Sequence, residues 1–337
     1  MLNFDEARFT RIQSGAVALS GPLDDLVGDL LEKGATNIFF LGAGGAGVLM
    51  QPAAQLISRN SDFPAYLENA AELMAVGSVN LGPGSIVVVP SLSGTTKEAV
   101  QVVEYARDKG ATTIALTGHA DTPVAQAADH DFTNYAADDT SSESFYLQSL
   151  ELALSIIRRR GELPDYDAVI AELALLPELL VEAKRAFEPR AEELAIQTKD
   201  VGYHIFTGAG EAWTEAWYFA TCILEEMQWV RTRPVQASDF FHGTLELVEQ
   251  GVSVVLLKGE DATRPLADRV EAFVPTVTDD LTVIDSATFE LPGISPRVRA
   301  LISHIVLATV LERYSAHLEV VRDHPLTTRR YYRRLDY

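Results

Sequence analysis

The sequence predicts an α/β protein made of two doubly wound parallel-sheet units in tandem, and three observations predict it. Short apolar runs such as 36–41 (TNIFFL) and 85–90 (SIVVVP) have the length and composition of strands buried on both faces. Segments with helical apolar spacing alternate with them, the pattern of a parallel sheet covered by helices. The opening pattern also returns: Gly42-Ala43-Gly44 recurs as Gly208-Ala209-Gly210, 166 positions on, and the strand starting at Ser85 recurs at Ser253, 168 positions on. A chain of 337 residues is too long for one ordinary core and suits two of about 150 residues each.

The elements follow one another in that frame. Residues 26–32 read as a helical lead-in, 36–41 as the first strand, 46–58 as a helix, 63–67 as a strand and 68–75 as a helix. Residues 85–90 form the second fully apolar strand, 97–107 a helix and 112–117 (TTIALT) a further strand. Residues 144–199 carry no strand signal and much Leu, Ala and Glu, so they read as helices joining two halves, with Pro164, Pro177 and Pro189 expected to punctuate them. Strands at 203–207 (YHIFT) and 253–257 (SVVLL) rebuild the pattern, and a long apolar helix over 295–318 closes it. The expected division is a first domain over 1–160, a helical linker over 161–200 and a second domain over 201–337.

Composition excludes several classes. With 47% hydrophobic residues the chain can pack interiors, yet no run approaches the roughly 18 apolar residues of a membrane helix, so no membrane partner is expected. The opening stretch MLNFDEARFTRIQSG has acidic residues where a secretory signal has a basic segment. The one cysteine, Cys222, permits neither an internal disulfide nor a thiolate metal cluster, and a reducing, cytoplasmic setting is expected. A net charge of -21 repels nucleic-acid phosphates. An anionic ligand would therefore need local N–H groups or a local patch of positive potential.

Ser91-Leu92-Ser93-Gly94-Thr95-Thr96 follows a buried strand and precedes a helix, the crevice where open α/β sheets bind ligands. Hydroxyls, a permissive glycine and the free N–H groups of a helix start can cradle a phosphate monoester without a lysine. The same serines and threonines could instead cap the helix. Residues 42–47 (GAGGAG) match G-x-G-x-x-G, with Glu68 after the next strand, so a dinucleotide-dependent oxidoreductase is a competing reading; the glycines could also serve only a tight strand-to-helix turn. Against the dinucleotide stands the hydroxyl-rich loop, which such folds do not need, and a second glycine turn without its third glycine.

These motifs, a strand ending in G-x-G, a later strand ending in S-x-S-G-x-T, and their duplication, resemble the sugar isomerase (SIS) family over nearly the whole chain. Within it the likeness is to the isomerase half of glucosamine-6-phosphate synthase and to fructosamine-6-phosphate deglycases. The resemblance implies a 6-phosphate held by Gly44, Gly45, Ser91, Ser93, Gly94 and Thr96, with Ser141 of the S-x-x-x-F-x-x-Q segment 141–148 lining the sugar site. Where many members have serine after G-x-G, this chain has Gly45, which offers only its backbone N–H. Glu226, with Glu225 as its one-position rival, and His242, 16 residues on, are implied as the catalytic pair. Carboxylate and imidazole suit proton transfer between sugar carbons and the opening of a furanose ring. Leu224, Met227, Trp229, Phe240 and Phe241 suggest a dry surrounding for them, although both could be solvated helix and turn residues.

In the second half the counterpart of the hydroxyl loop reads Lys258-Gly259-Glu260-Asp261-Ala262-Thr263, and its carboxylates would repel a phosphate, leaving one phosphate site per chain. The tail holding Arg329, Arg330, Tyr331, Tyr332, Arg333, Arg334 and Tyr337 resembles the segment that closes over the deglycase site, or is a solvated basic tail. The implied activity is a cofactor-independent, metal-free phosphosugar deglycase or isomerase that cleaves a fructosamine 6-phosphate into an aldose 6-phosphate and an amine. The implied assembly is a homodimer with the site at its interface. Alternatives are a phosphosugar sensor without catalysis and an aldose–ketose isomerase or deaminase acting on a hexosamine 6-phosphate.

Overall fold

A computed structural model describes residues 1–332, 334 and 335. The chain divides into two compact units, one formed by Glu6–Pro177 and the other by Glu178–Tyr337 together with Met1–Asp5. The segment 161–200 is shared between them: the helix Tyr166–Leu173 falls in the first and nearly all of Leu176–Thr198 in the second. Pro189, expected to interrupt the helices here, lies inside Leu176–Thr198, whose packing on the second unit holds the helix through the lost hydrogen bond.

The first unit carries five parallel strands, β1 (Asn37–Gly42), β2 (Ala65–Asn69), β3 (Ser85–Ser91), β4 (Thr112–Thr117) and β5 (His130–Thr133), in the spatial order β2-β1-β3-β4-β5. All seven residues of β3 are buried, and β1 and β4 are buried from their second residue onward, as their unbroken apolar runs require. Phe39, Leu41, Val87, Val89 and Ala115 face the helix Lys97–Asp108 through Val102, Val103 and Ala106. Burying a side chain of this size contributes roughly 1.5–3 kcal/mol, so this layer is a principal source of the unit's stability. Elsewhere in the unit the helix Ser141–Arg159 packs against Glu6–Val17, Ser20–Glu32 and Gln51–Asn60. β5 has no sequence signal of its own; it is four residues long and lies at the sheet edge.

The second unit repeats the scheme with β6 (Tyr203–Gly208), β7 (Arg231–Gln236), β8 (Ser253–Lys258) and β9 (Leu281–Asp285), ordered β7-β6-β8-β9. Both sheets thus run second, first, third, fourth by position in their unit, and the change of direction falls between β1 and β3 in one and β6 and β8 in the other. The long helix Pro296–Val321 is buried along most of its length. It carries Arg313, whose Nε donates to Glu188 Oε2 at 2.6 Å, while His317 Nε2 lies 3.1 Å from Glu188 Oε1. The Leu2 amide donates to the same Glu188 carboxylate at 2.6 Å, and Arg313 donates to the Leu2 carbonyl. Burial opposes the charged form of Glu188, but the bonds from Arg313, Leu2 and His317 prevail and hold its pKa down to about 2.

Candidate active site

In the first unit the two motif loops leave the carboxyl ends of β1 and β3, which are hydrogen-bonded neighbours on either side of the topological switch point. The order β2-β1-β3-β4-β5 is that of flavodoxin-like sheets rather than of dinucleotide folds, and the glycines have a packing reason. A Cβ on Gly42 would stand 2.3 Å from the Gly47 Cα, and Gly44 has a φ of +55°. The strand-to-helix turn can close only without side chains there.

The loop after β3 is held from within. The Gly94 N–H donates to Ser91 Oγ at 3.1 Å, and the Thr95 N–H and Oγ1 donate to Ser93 Oγ at 3.3 and 3.0 Å. Ser91 is buried, and since its oxygen is the acceptor, its hydroxyl hydrogen is available to a ligand. Gly94 has a φ of +62°, and a Cβ there would meet Thr122 Oγ1 at 2.0 Å. Its carbonyl accepts from Val124 N at 3.0 Å. Thr96 is the N-cap of the helix Lys97–Asp108, yet no side chain caps that helix, so the capping role open in the sequence is not taken and the first N–H groups stay unpaired within the helix.

Ser141 is the first residue of the helix Ser141–Arg159 in the same unit. The Gly118 amide donates to Leu92 O at 3.1 Å, and a Cβ on Gly118 would come 3.1 Å from Ala136 O, so segments 91–96 and 134–141 share this edge. Ser141 Oγ donates to Asp138 O at 3.2 Å, and the helix Ser141–Arg159 has no side-chain cap. Gln148, from the same motif, is fully buried; it accepts from Asn134 Nδ2 at 2.8 Å and donates to Phe132 O at 3.1 Å, fixing the loop after β5.

In the second unit the helix Glu211–Tyr218 runs into a π-helical stretch, Phe219–Glu225, a distortion that re-aims the side chains beyond it. Glu225 Oε1 accepts from Thr232 N at 3.1 Å and Thr232 Oγ1 at 2.7 Å, so this carboxylate anchors the start of β7. Glu226 Oε1 instead accepts from Arg329 Nε at 2.9 Å. The two rivals have different partners, Thr232 for one and Arg329 for the other, and both carboxylates line one concavity of about 610 Å³. Trp229, Arg231, Arg329, Arg330 and Tyr331 line that concavity with both glutamates. Trp229 has a φ of +57°, a left-handed conformation that costs energy for a bulky residue, and the Arg330 guanidinium sits 4.0 Å from its ring centroid. Arg333 and Tyr337 of the tail lie outside the described residues.

The dry surrounding expected from sequence is corrected here. The Glu226 side chain is 37% exposed and paired with an arginine, while Leu224 and Phe240 point into the hydrophobic core. His242 sits in the turn after β7, exposed, and is not among the residues lining the concavity. Burial first, then the charges of Glu226, Glu215 and Glu225, push the Cys222 thiol up to about 12, which removes it as a nucleophile.

The second switch point is filled by its own side chains. Arg299 donates to both oxygens of Glu260 at 2.7 and 2.8 Å, and Asp261 Oδ1 accepts from Thr263 N at 2.6 Å. A Cβ on Gly210 would come 2.6 Å from Asp261 Oδ2. His304 Nδ1 lies 2.9 Å from Glu211 Oε2, both buried, a pair the sequence hides because the partners are 93 positions apart. Among the described residues there is no group of three or more His, Cys, Asp or Glu that could hold a metal ion, and no helix is long and apolar enough to cross a membrane.

A family profile for the SIS domain matches residues 32–158, within the first unit. The chain is 30% identical over 314 residues to the fructosamine deglycase FrlB of Bacillus subtilis, covering 92% of this chain and 95% of that one. It is 27% identical to the fructoselysine 6-phosphate deglycase of Escherichia coli, over 91% of this chain and 88% of the relative. Among solved structures, a protein from Bacillus subtilis described as a candidate phosphosugar isomerase superposes with a TM-score of 0.88 at 29% identity, covering 96% and 99% of the two chains. The C-terminal domain of glucosamine-fructose-6-phosphate aminotransferase from Francisella tularensis shares the fold, with a TM-score of 0.79 at 17% identity over 96% and 97%. Two parallel sheets of matching order, a hydroxyl loop at the first switch point and end-to-end likeness to these proteins together make the chain a member of the SIS domain family, with two such domains in tandem.

Proposed function

We propose that this protein is a phosphosugar deglycase that cleaves a fructosamine 6-phosphate to an aldose 6-phosphate and an amine. One observation carries the reading: relatives matched nearly end to end are fructosamine deglycases, and Glu226 lines an open concavity of the second unit. Ser91, Ser93, Thr96 and the amides of Gly44 and Gly45 bind the phosphate, Gly94 shapes the turn that carries them, and the unpaired N–H groups of the helix Lys97–Asp108 add their dipole. Ser141 lines the sugar.

His242 assists ring opening by protonating the ring oxygen. Glu226 then removes a proton from C1 of the open-chain substrate and returns one to C2, which converts the ketose into the imine of the aldose. Water adds to that imine and the carbon–nitrogen bond breaks, giving the aldose 6-phosphate and the free amine. Proton transfers of this kind need no cofactor. The protein works as a homodimer in the cytoplasm, with His242 of one chain serving the site that contains Glu226 of the other.

Glu226→Gln should lower turnover at least about a thousandfold while fructose 6-phosphate still binds with near wild-type affinity by calorimetry. Retained turnover would remove Glu226 from the chemistry. Mixing inactive Glu226→Gln and His242→Gln chains should restore up to about a quarter of wild-type activity if the histidine acts across the dimer. No restoration would put both residues in one chain's site.

A further inference from the structure

The Glu226 carboxylate is held by one oxygen only. Arg329 Nε donates to its Oε1 at 2.9 Å, while its Oε2 has no hydrogen-bond partner among the described residues. The arginine is set in place by its own tail. Its Nη1 donates to Leu326 O at 2.6 Å and to Thr328 O at 3.0 Å, and its side chain is 16% exposed. With Nη1 committed to two carbonyls, the planar guanidinium cannot swing, and Nε is the edge it offers to the carboxylate. The tail is tied down in turn beside the residues that follow Glu226. Gln228 Nε2 donates to His324 O at 2.7 Å, and the His324 ring stands nearly perpendicular to Trp229 with centroids 4.5 Å apart. The Leu326 amide donates to Glu319 Oε1 at 3.0 Å, and the Thr328 amide closes a turn on Pro325 O at 2.8 Å. Glu225, one position earlier, accepts instead from the neutral amide and hydroxyl of Thr232.

We propose that Arg329 is a positioning residue for the reaction, acting on the substrate only through Glu226. The proposal rests on Glu226 being the proton-transferring base. By committing Oε1, Arg329 fixes the plane of the carboxylate and leaves Oε2 as the oxygen that takes the proton. In that step the C1–H bond of the open-chain substrate breaks and its electron pair forms a C1–C2 double bond, which leaves the negative charge on the C2 oxygen. The proton ends on Oε2. Oε1 still accepts from Arg329 afterwards, so the proton stays on the oxygen that must return it to C2.

The test measures aldose 6-phosphate released from fructoselysine 6-phosphate by the wild type and by four variants. Arg329→Gln should lower kcat about a hundredfold with KM within about threefold of wild type, and Arg329→Lys, which keeps a charged donor, should regain about tenfold of that loss. Glu319→Ala removes a tail anchor that does not touch Glu226, and should lower kcat by less than about threefold. In a Glu226→Gln chain, adding Arg329→Gln should cost less than about threefold more, because the group it positions is already gone. A loss carried by KM, no gain from lysine, an equal loss in Glu319→Ala, or full additivity with Glu226→Gln each overturns the proposal and leaves the deglycase reading intact. If the wild type leaves the compound uncleaved, exchange of the C1 hydrogens of fructose 6-phosphate in heavy water, followed by NMR, decides the matter apart from deglycation. The wild type must then exchange them and Arg329→Gln must do so about a hundredfold more slowly. Equal exchange rates, or none in the wild type, overturn the proposal.

Discussion

The loops that follow β3 and β8 occupy equivalent places, each at the carboxyl end of the third strand of a parallel sheet and beside its switch point. After β3 the chain offers hydroxyls, a left-handed glycine and an uncapped helix start. After β8 it offers Glu260 clamped by Arg299 and Asp261 packed on the Gly210 turn. The fold supplies the crevice in both cases, and a handful of side chains decides whether it is open to an anion or closed by internal ion pairs. On the proposed function, duplication has left one crevice for ligand and one whose side chains bind each other.

The largest way to break that contrast is to make the first loop resemble the second. Ser93→Asp places a carboxylate where a doubly negative ester should bind, and calorimetry should find fructose 6-phosphate weakened at least about a hundredfold, roughly 2.7 kcal/mol. Binding within tenfold of wild type would show that this loop does not hold the phosphate. Next in size, Glu260→Gln strips Arg299, 15% exposed, of its counter-ion and should cost about 2 kcal/mol in urea unfolding, with fructose 6-phosphate binding unchanged. A loss of binding instead would make the second crevice functional. The smallest effect sharpens the picture: Thr96→Val removes a hydroxyl that caps nothing, so stability should move by less than about 0.5 kcal/mol while affinity falls about tenfold. A stability loss as large as the binding loss would return Thr96 to a capping role.

What could be read from sequence follows the same division between local and distant. β1, β3, β4, β6 and β8 were legible because a strand buried on both faces must be apolar throughout. β7 was not, since an edge strand reading RTRPVQ has exposed and partly buried positions in place of an unbroken apolar run. β9 likewise lies at an edge and is only partly buried. The hydroxyl loop after β3 is contiguous and stands out as a motif. The pairing of Glu226 with Arg329 spans 103 positions and depends on how the tail folds back, which no local pattern encodes. The apolar neighbours of Glu226 misled for a related reason: adjacency in the chain said nothing of direction, and Phe240 turns inward.

The placement of Leu2 has a consequence for biosynthesis. Its amide and carbonyl are bound by Glu188 and Arg313, so during synthesis it waits for partners made 186 and 311 positions later, while the whole of Glu6–Pro177 emerges in between. Vectorial synthesis can finish the segment Glu6–Pro177 first, but the unit that holds Leu2 cannot close before Arg313 has been made.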